Sequence, residues 1–267
     1  MRVVGEGAAV AEHRGVALVR VPGPRVAEGM VTHIGRTPVD ARAACRQHAG
    51  YREVLAGAGW QVREVEPADD CPDAVFVEDA LVVVGDLAVV TRPGAVRRRG
   101  ETAGAERAAA GLGLETARIA PPGRLDGGDV LQVGRTVYVG VGGRTDAARV
   151  RALAALVEPL GRTVVPVRLG GVLHLKSAVT ALPDGTLLGL AGVFDTAAVP
   201  AFRAVPEEAG CHVVPLGGDE VLIGASAPRT AAGLADEGWR VRAVDIGEFE
   251  KLEGCVTCLS VLVPGAG

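Results

Sequence analysis

Cys258, His174 and the carboxylates of Asp126 and Asp129 are the residues of this chain whose types could do chemistry together. A thiol, an imidazole and a carboxylate are the parts of an activated thiolate, in which the imidazole moves the proton and the carboxylate orients the imidazole. Cys258 leads an apolar run, Leu259-Ser260-Val261-Leu262, and His174 sits in Leu173-His174-Leu175-Lys176-Ser177. Asp126 and Asp129 flank Gly127-Gly128, a pair that lets the backbone turn tightly and approach something else closely. Asp73, Glu78 and Asp79 form another acidic group beside apolar Val75, Phe76, Val77, Ala80 and Leu81. Adjacent carboxylates near a buried strand repel each other unless a cation sits between them.

These residues are far apart in the chain, so the elements that carry them must bring them together. Residues 130–141 read as two short strands around Gly134-Arg135, residues 144–160 as a helix and 163–167 as a third strand. The same strand, strand, helix, strand order recurs. One copy opens at residues 74–79, with strands through 91, a helix over 101–112 and a strand at 115–119. Another opens at His174, with its helix over 195–209 and its strand at 211–215. A shorter one opens at Gly217-Gly218-Asp219 and ends at 239–244. The last is split between the chain ends: its first strand is 256–262, and its remainder is a strand at 16–21, a helix over 39–58 and a strand at 60–65. Repeats of about 45 residues predict a closed radial array. The reactive side chains recur at the start of the first strand of their copies, so a ring gathers them at its centre. That position separates His174 from His13, His33, His48 and His212, since a lone histidine in an apolar strand is ordinarily structural.

The 267 residues carry no charged or Ser/Gly-rich linker, and the split unit predicts a single domain over 1–267. Hydrophobic residues make up 48% but aromatics only 3%, so the core is built of Val, Ala and Leu. The net charge of -4 predicts no nucleic-acid partner. Apolar runs are short and interrupted, and residues 1–6 lack a signal-peptide core, which predicts a cytoplasmic protein without membrane attachment. Within Arg97-Arg98-Arg99, Arg97 and Arg99 read as a solvated turn.

Gly140-Val141-Gly142-Gly143 lacks the third glycine of a dinucleotide site and the Gly-Lys-Ser/Thr of a P-loop, so no nucleotide is expected. Arg144, at a helix start, is suited instead to holding a carboxylate. Five dispersed cysteines make no disulfide framework, and Cys45 and Cys211 read as small buried residues. Cys255 and Cys258 have no second pair for zinc. In an extended strand their Cα atoms would lie about 10 Å apart, beyond disulfide reach, and closure would need a turn at residues 254–257; Cys255 reads first as a semi-buried small residue, with a reversible disulfide to Cys258 as the sharper alternative. Residues 22–38 read as a long loop, either of the kind that covers a site or a disordered surface segment; pattern alone does not separate the two.

Together, Phe76-Val77-Glu78-Asp79, Thr91-Arg92-Pro93-Gly94-Ala95, Leu125-Asp126-Gly127-Gly128-Asp129-Val130-Leu131, Leu173-His174-Leu175-Lys176-Ser177 and Thr257-Cys258-Leu259-Ser260-Val261-Leu262 resemble dimethylarginine dimethylaminohydrolases, in the same order over nearly the whole chain. That resemblance implies the pentein fold, a five-bladed α/β propeller closed by pairing of N- and C-terminal strands. It also implies hydrolysis of dimethylarginine and monomethylarginine to citrulline, with no metal or cofactor and with a small-molecule substrate as the partner of a monomer or homodimer. By matching position, Cys258 is the nucleophile, His174 the acid/base and Asp126 its acidic partner. Glu78 and Asp79 grip the guanidinium. Asp73 takes the α-amino group with backbone carbonyls near Met30 and Leu252, while Arg98 and Arg144 take the α-carboxylate. The family also implies a longer fourth blade than residues 217–244 provide.

The nearest rival, arginine deiminase, carries His-x-Asp where this chain has His174-Leu175-Lys176, and is longer. Agmatine deiminase has no need of a carboxylate clamp, and amidinotransferases are larger. A non-catalytic arginine-binding module on the same fold would need no thiol.

Overall fold

The computed structural model describes residues 14–199 and 201–265; the expectations placed on residues 1–6 and on His13 lie outside these. From the N-terminus come β1 (Gly15–Val19), α1 (Ala41–Gly57) and β2 (Trp60–Glu64). They are followed by β3 (Leu81–Val84), β4 (Leu87–Val90), α2 (Thr102–Ala110) and β5 (Glu115–Arg118). Next are β6 (Val130–Val133), β7 (Thr136–Val141), α3 (Ala147–Val157) and β8 (Thr163–Arg168), then β9 (Val179–Ala181), β10 (Leu187–Gly189) and β11 (Arg203–Ala204). The chain continues through β12 (Val213–Gly217), β13 (Glu220–Gly224), α4 (Pro228–Asp236) and β14 (Arg240–Val244) to β15 (Ser260–Pro264).

Among the described residues these strands form five three-stranded sheets, the blades of an α/β propeller. In each, the first strand pairs antiparallel with the second, and the second pairs parallel with the third. The ring closes as expected: β15 pairs antiparallel with β1, Val263 opposite Val16 and Val261 opposite Leu18.

Side-chain alternation explains why the blades stand side by side. Successive residues of a strand point to opposite faces. Leu81 and Val83 pack with Leu18, Val261 and Val263 of the preceding blade. Val82 and Val84 pack with Val130, Val137 and Val139 of the next. The remaining clusters sit the same way between blades, Leu131 with Val179 and Leu187, Leu188 with Val213 and Val221, and Val214 with Leu259. Both faces of a blade are therefore buried, and β3 and β4 read as unbroken apolar runs rather than alternating ones. The capping aspartates Asp40 and Asp146 accept backbone N–H bonds at the starts of α1 and α3.

One blade departs from expectation. Over residues 195–209 no described residue is α-helical; turns lead to the two-residue β11, which takes the outer place beside β10. Pro206 lies within that stretch and removes a helical N–H donor. Residues 211–215, expected as that outer strand, instead lie mostly in β12, the inner strand of the following blade. Gly217 and Gly218 do not open that blade; with φ of 109° and 60° they form its hairpin turn. The fourth blade is accordingly not short: its three strands have five residues each.

Each inner strand is preceded by a short 3₁₀ turn, at Val77–Ala80, Gly127–Asp129, Leu175–Ser177, Glu208–Cys211 and Val256–Leu259. These five turns ring the centre at one end of the inner strands.

Candidate active site

A cavity of about 20 Å³ lies at that centre, lined by Met30, Asp73, Phe76, Asp79, Arg98, Arg144, His174, Leu252, Glu253 and Cys258 among others. It has room for a water molecule rather than an amino acid. A larger cavity of about 790 Å³ lies further along the inner strands, lined by residues such as Val83, Val133, Leu182, Val214 and Leu262. It contains neither Cys258 nor His174, so its size does not make it the reaction site.

The His174 imidazole is buried between acids. Its Nε2 lies 3.1 Å from Asp126 Oδ2 and its Nδ1 3.8 Å from Asp79 Oδ1. Burial opposes the charged ring, but the nearby carboxylates outweigh it and lift its pKa to about 9. Asp126 is fully buried, and its Oδ1 accepts the Gly94 N–H at 2.6 Å. Asp129 turns away from the cavity to accept the Leu175 N–H at 2.9 Å and the Thr145 hydroxyl at 2.6 Å. It thereby anchors the turn that carries His174; burial raises its pKa to about 6. The glycine pair is sterically required. A Cβ on Gly127 would stand 2.0 Å from the Glu78 carbonyl oxygen, and one on Gly128 would stand 2.6 Å from His174 Nδ1.

Glu78 and Asp79, expected to act as a pair, point to different cavities, because neighbours in a 3₁₀ turn project in different directions. Asp79 faces the small cavity, accepts the Gly128 N–H at 2.8 Å and pairs with Arg98. Burial works against its charge, yet His174 and Arg98 hold its carboxyl well below the usual range. Glu78 turns to the larger cavity, where it pairs with Lys176 Nζ at 2.6 Å and accepts the Thr257 hydroxyl at 3.0 Å. Burial, partly offset by Lys176, raises Glu78 to about 7. Of the two carboxylates expected to grip a guanidinium, only Asp79 lines the small cavity in the free protein, and Glu78 is engaged by Lys176 and Thr257.

Arg98, expected as a carboxylate clamp, reaches the cavity wall but is largely committed to protein. Its Nε donates to Glu101, its Nη1 to Asp79, and its Nη2 to Glu101 and to the Asp73 and Phe76 carbonyls. A single Nη1 hydrogen is left without a described partner; in the free protein Arg98 holds both Asp79 and Glu101. Its neighbour Arg97 is no bystander: it donates to Asp73 Oδ2 at 3.1 Å and to the Glu28 carbonyl at 3.1 Å. Arg144 lines the mouth and makes no ion pair with a described residue. Replacing Arg98 by Ala strands the buried carboxylates of Asp79 and Glu101, for an expected loss of about 3–5 kcal/mol in stability, readable as a lowered urea midpoint.

Met30, Leu252 and Asp73 meet at the mouth, and the Met30 N–H donates to Asp73 Oδ1 at 2.7 Å. Of residues 22–38, Met30 lines the cavity. Glu253, at φ 62°, fastens this segment by accepting the N–H groups of Thr32, His33 and Ile34. No sequence signal singled out Glu253 or Tyr51. The Tyr51 hydroxyl reaches the Val256 carbonyl at 2.8 Å and Ser260 Oγ at 2.7 Å, bracing the turn that carries Cys258.

Asp79, Asp126 and His174 place ligand atoms within 4.8 Å of one another. As a metal site the group is already spoken for, since both carboxylates accept backbone N–H groups and Asp79 has Arg98 as its cation. No helix among the described residues is long and apolar enough to cross a membrane.

The chain is 59% identical over 246 residues to an N(G),N(G)-dimethylarginine dimethylaminohydrolase of Streptomyces coelicolor, covering 92% of this chain and 95% of the relative. It is 34% identical to the enzyme of that name from Pseudomonas aeruginosa, covering 91% and 97%. A crystal structure of a Pseudomonas aeruginosa mutant of that enzyme with citrulline superposes with a TM-score of 0.87 at 31% identity, covering 94% of this chain and all of that one. No family model matches the chain.

Proposed function

The chain belongs to the dimethylarginine dimethylaminohydrolase family, and from that premise we propose that it hydrolyses N-methylated arginine to citrulline and the methylated amine through a thiouronium on Cys258. The observation that carries this reading is the meeting of Cys258, His174 and Asp79 at one small buried cavity. Asp79 accepts from the substrate guanidinium, and the pairing offsets the cost of desolvating it. In the free protein a hydrogen bond with Cys255, burial and nearby negative charge keep the Cys258 thiol protonated. The incoming cation lowers that pKa, so thiolate forms where its target is bound. The sulfur adds to the guanidinium carbon. The His174 imidazolium, held by Asp126, gives its proton to the departing methylamine or dimethylamine. The ring, now neutral, takes a proton from water, which adds to the thiouronium and releases citrulline and the thiol.

At the mouth, Asp73 and the backbone of Met30 and Leu252 receive the α-amino group, whose ammonium replaces the Arg97 contact on Asp73. Arg144 receives the α-carboxylate, with Arg98 contributing its remaining Nη1 hydrogen. Arg144→Ala should therefore raise KM for dimethylarginine far more than it lowers kcat, because the contact is remote from the reacting carbon. An unchanged KM in initial-rate measurements would remove Arg144 from the site. Lys176 favours this reading over arginine deimination: its ammonium points to Glu78, away from the small cavity, and no carboxylate stands there for a second terminal nitrogen. The deciding assay is citrulline release from dimethylarginine, monomethylarginine and arginine side by side. Arginine as the best substrate would overturn the reading, and no turnover of any would return the chain to a binding module. We read residues 1–267 as one catalytic domain acting on a small molecule, as a monomer or homodimer, in the cytoplasm; its five cysteines, all unpaired, suit that reducing setting.

A further inference from the structure

In an extended strand Cys255 would stand about 10 Å from Cys258, and only a turn at residues 254–257 would bring the two together. The structure replaces that strand with a turn. The Cys258 N–H donates to the Cys255 carbonyl at 3.1 Å, and Val256–Leu259 is a 3₁₀ helix. A turn closed this way holds the two Cα atoms under about 7 Å apart, within disulfide reach. The side chains complete the approach: Cys255 Sγ and Cys258 Sγ are 3.3 Å apart, both buried. We propose that Cys255 and Cys258 form a reversible disulfide when the protein meets a peroxide, and that Cys255 is the resolving thiol of the pair.

The surroundings favour this chemistry over simple burial. Sulfurs in van der Waals contact must each move only about 0.6 Å to reach the bonded distance of about 2.05 Å. The hydrogen bond from Cys258, together with His212 and Thr257, stabilises a Cys255 thiolate against the cost of burial. The pair thus shares one proton along the 3.3 Å line. Cys258 faces the small cavity, which admits a molecule of about the size of water or hydrogen peroxide, while Cys255 lies behind it. When the shared proton rests on Cys255, the Cys258 thiolate attacks one peroxide oxygen. The O–O bond breaks, Cys258 becomes the sulfenic acid and hydroxide leaves. The hydroxide takes the proton of Cys255, whose thiolate attacks the sulfenic sulfur. The S–S bond forms, the S–OH bond breaks and a second hydroxide departs, to be protonated by solvent. Overall, two thiols are oxidised, hydrogen peroxide is reduced and two waters form. The remaining cysteines do not sit in this turn: the Cys211 thiol is directed to the Glu208 carbonyl at 3.1 Å, Cys71 is half-buried, and Cys45, expected to be buried, is exposed.

The bond would also inactivate the enzyme, a consequence that rests on the proposed role of Cys258. Mass and activity are therefore read separately. Residues 252–267 follow Lys251 and contain no Lys or Arg, so trypsin releases both thiols in one peptide with no other cysteine. After mild hydrogen peroxide and alkylation, this peptide from the wild-type protein should be unalkylated and lighter by two hydrogens. Dithiothreitol should restore both thiols and most of the activity. Cys255→Ser, normalised to its own starting activity, should pass to the sulfinic acid and recover little. Doubly alkylated or sulfinic wild-type peptide as the main product of inactivation would overturn the proposal, and so would equal recovery of the two proteins. If Cys255→Ser does not fold, the wild-type peptide still decides. A disulfide formed without loss of activity would uphold the bond and overturn the assignment of Cys258 as nucleophile.

Discussion

Cys258→Ser is expected to lose at least about 10⁴-fold in citrulline release while still binding dimethylarginine, the scale on which catalytic nucleophiles fail when removed. The hydroxyl occupies the same place at the end of the Val256–Leu259 turn, braced by Tyr51, so the cavity keeps its shape. What changes is ionisation. A bound guanidinium can bring a thiol within reach of deprotonation near neutral pH, but not an alcohol several pKa units higher. Intact-protein mass spectrometry under turnover separates this from a general loss of fold. Wild type should carry the mass of a thiouronium adduct, and Cys258→Ser should carry none while still binding substrate by calorimetry. Appreciable turnover by the variant, or an adduct on another residue, would remove Cys258 as nucleophile.

His174→Ala is expected to lose at least about 100-fold in rate, the low end of what general acid–base catalysis supplies. The leaving amine then has no proton donor, and water no base. The charge on the ring adds a second readout. With its pKa raised to about 9, His174 is an imidazolium at neutral pH, and kcat/KM of the wild type should fall as pH rises through about 9. The same proton is linked to stability. A histidine whose pKa is higher in the folded than in the unfolded state contributes fully below its unfolded value near 6.5. That contribution fades from there and is lost as pH passes about 9. The wild-type urea midpoint should therefore fall between pH 7 and 10 more than that of His174→Gln. Equal slopes, or a His174→Ala rate close to wild type, would make His174 a structural residue.

The recurrence of strand, strand, helix and strand could be read from the sequence because every blade solves the same packing problem with the same short alternation. The places of Cys258, His174 and Asp126 followed from it, since a closed ring brings equivalent positions together. The exceptions were local. The third blade has prolines where its helix was expected, and residues 211–215 are equally apolar as the end of one blade or the start of the next; only pairing with β13 assigns them.

By itself, then, the sequence determined the repeat, the ring and the thiol, imidazole and carboxylate at its centre, because periodicity and residue type are local properties. The tertiary structure decided which way each side chain faces. Glu78 and Asp79 are adjacent in sequence, yet one pairs with Lys176 and the other with Arg98, through partners 98 and 19 residues away. Arg97, Arg98 and Arg99 are equivalent as a run; the buried carboxylates of Asp79 and Glu101 select the middle one. Cys255 and Cys258 look like strand residues because their turn is buried and apolar, with no Gly or Pro between them. It is held instead by Tyr51 from α1, about 200 positions away, a contact no local pattern encodes.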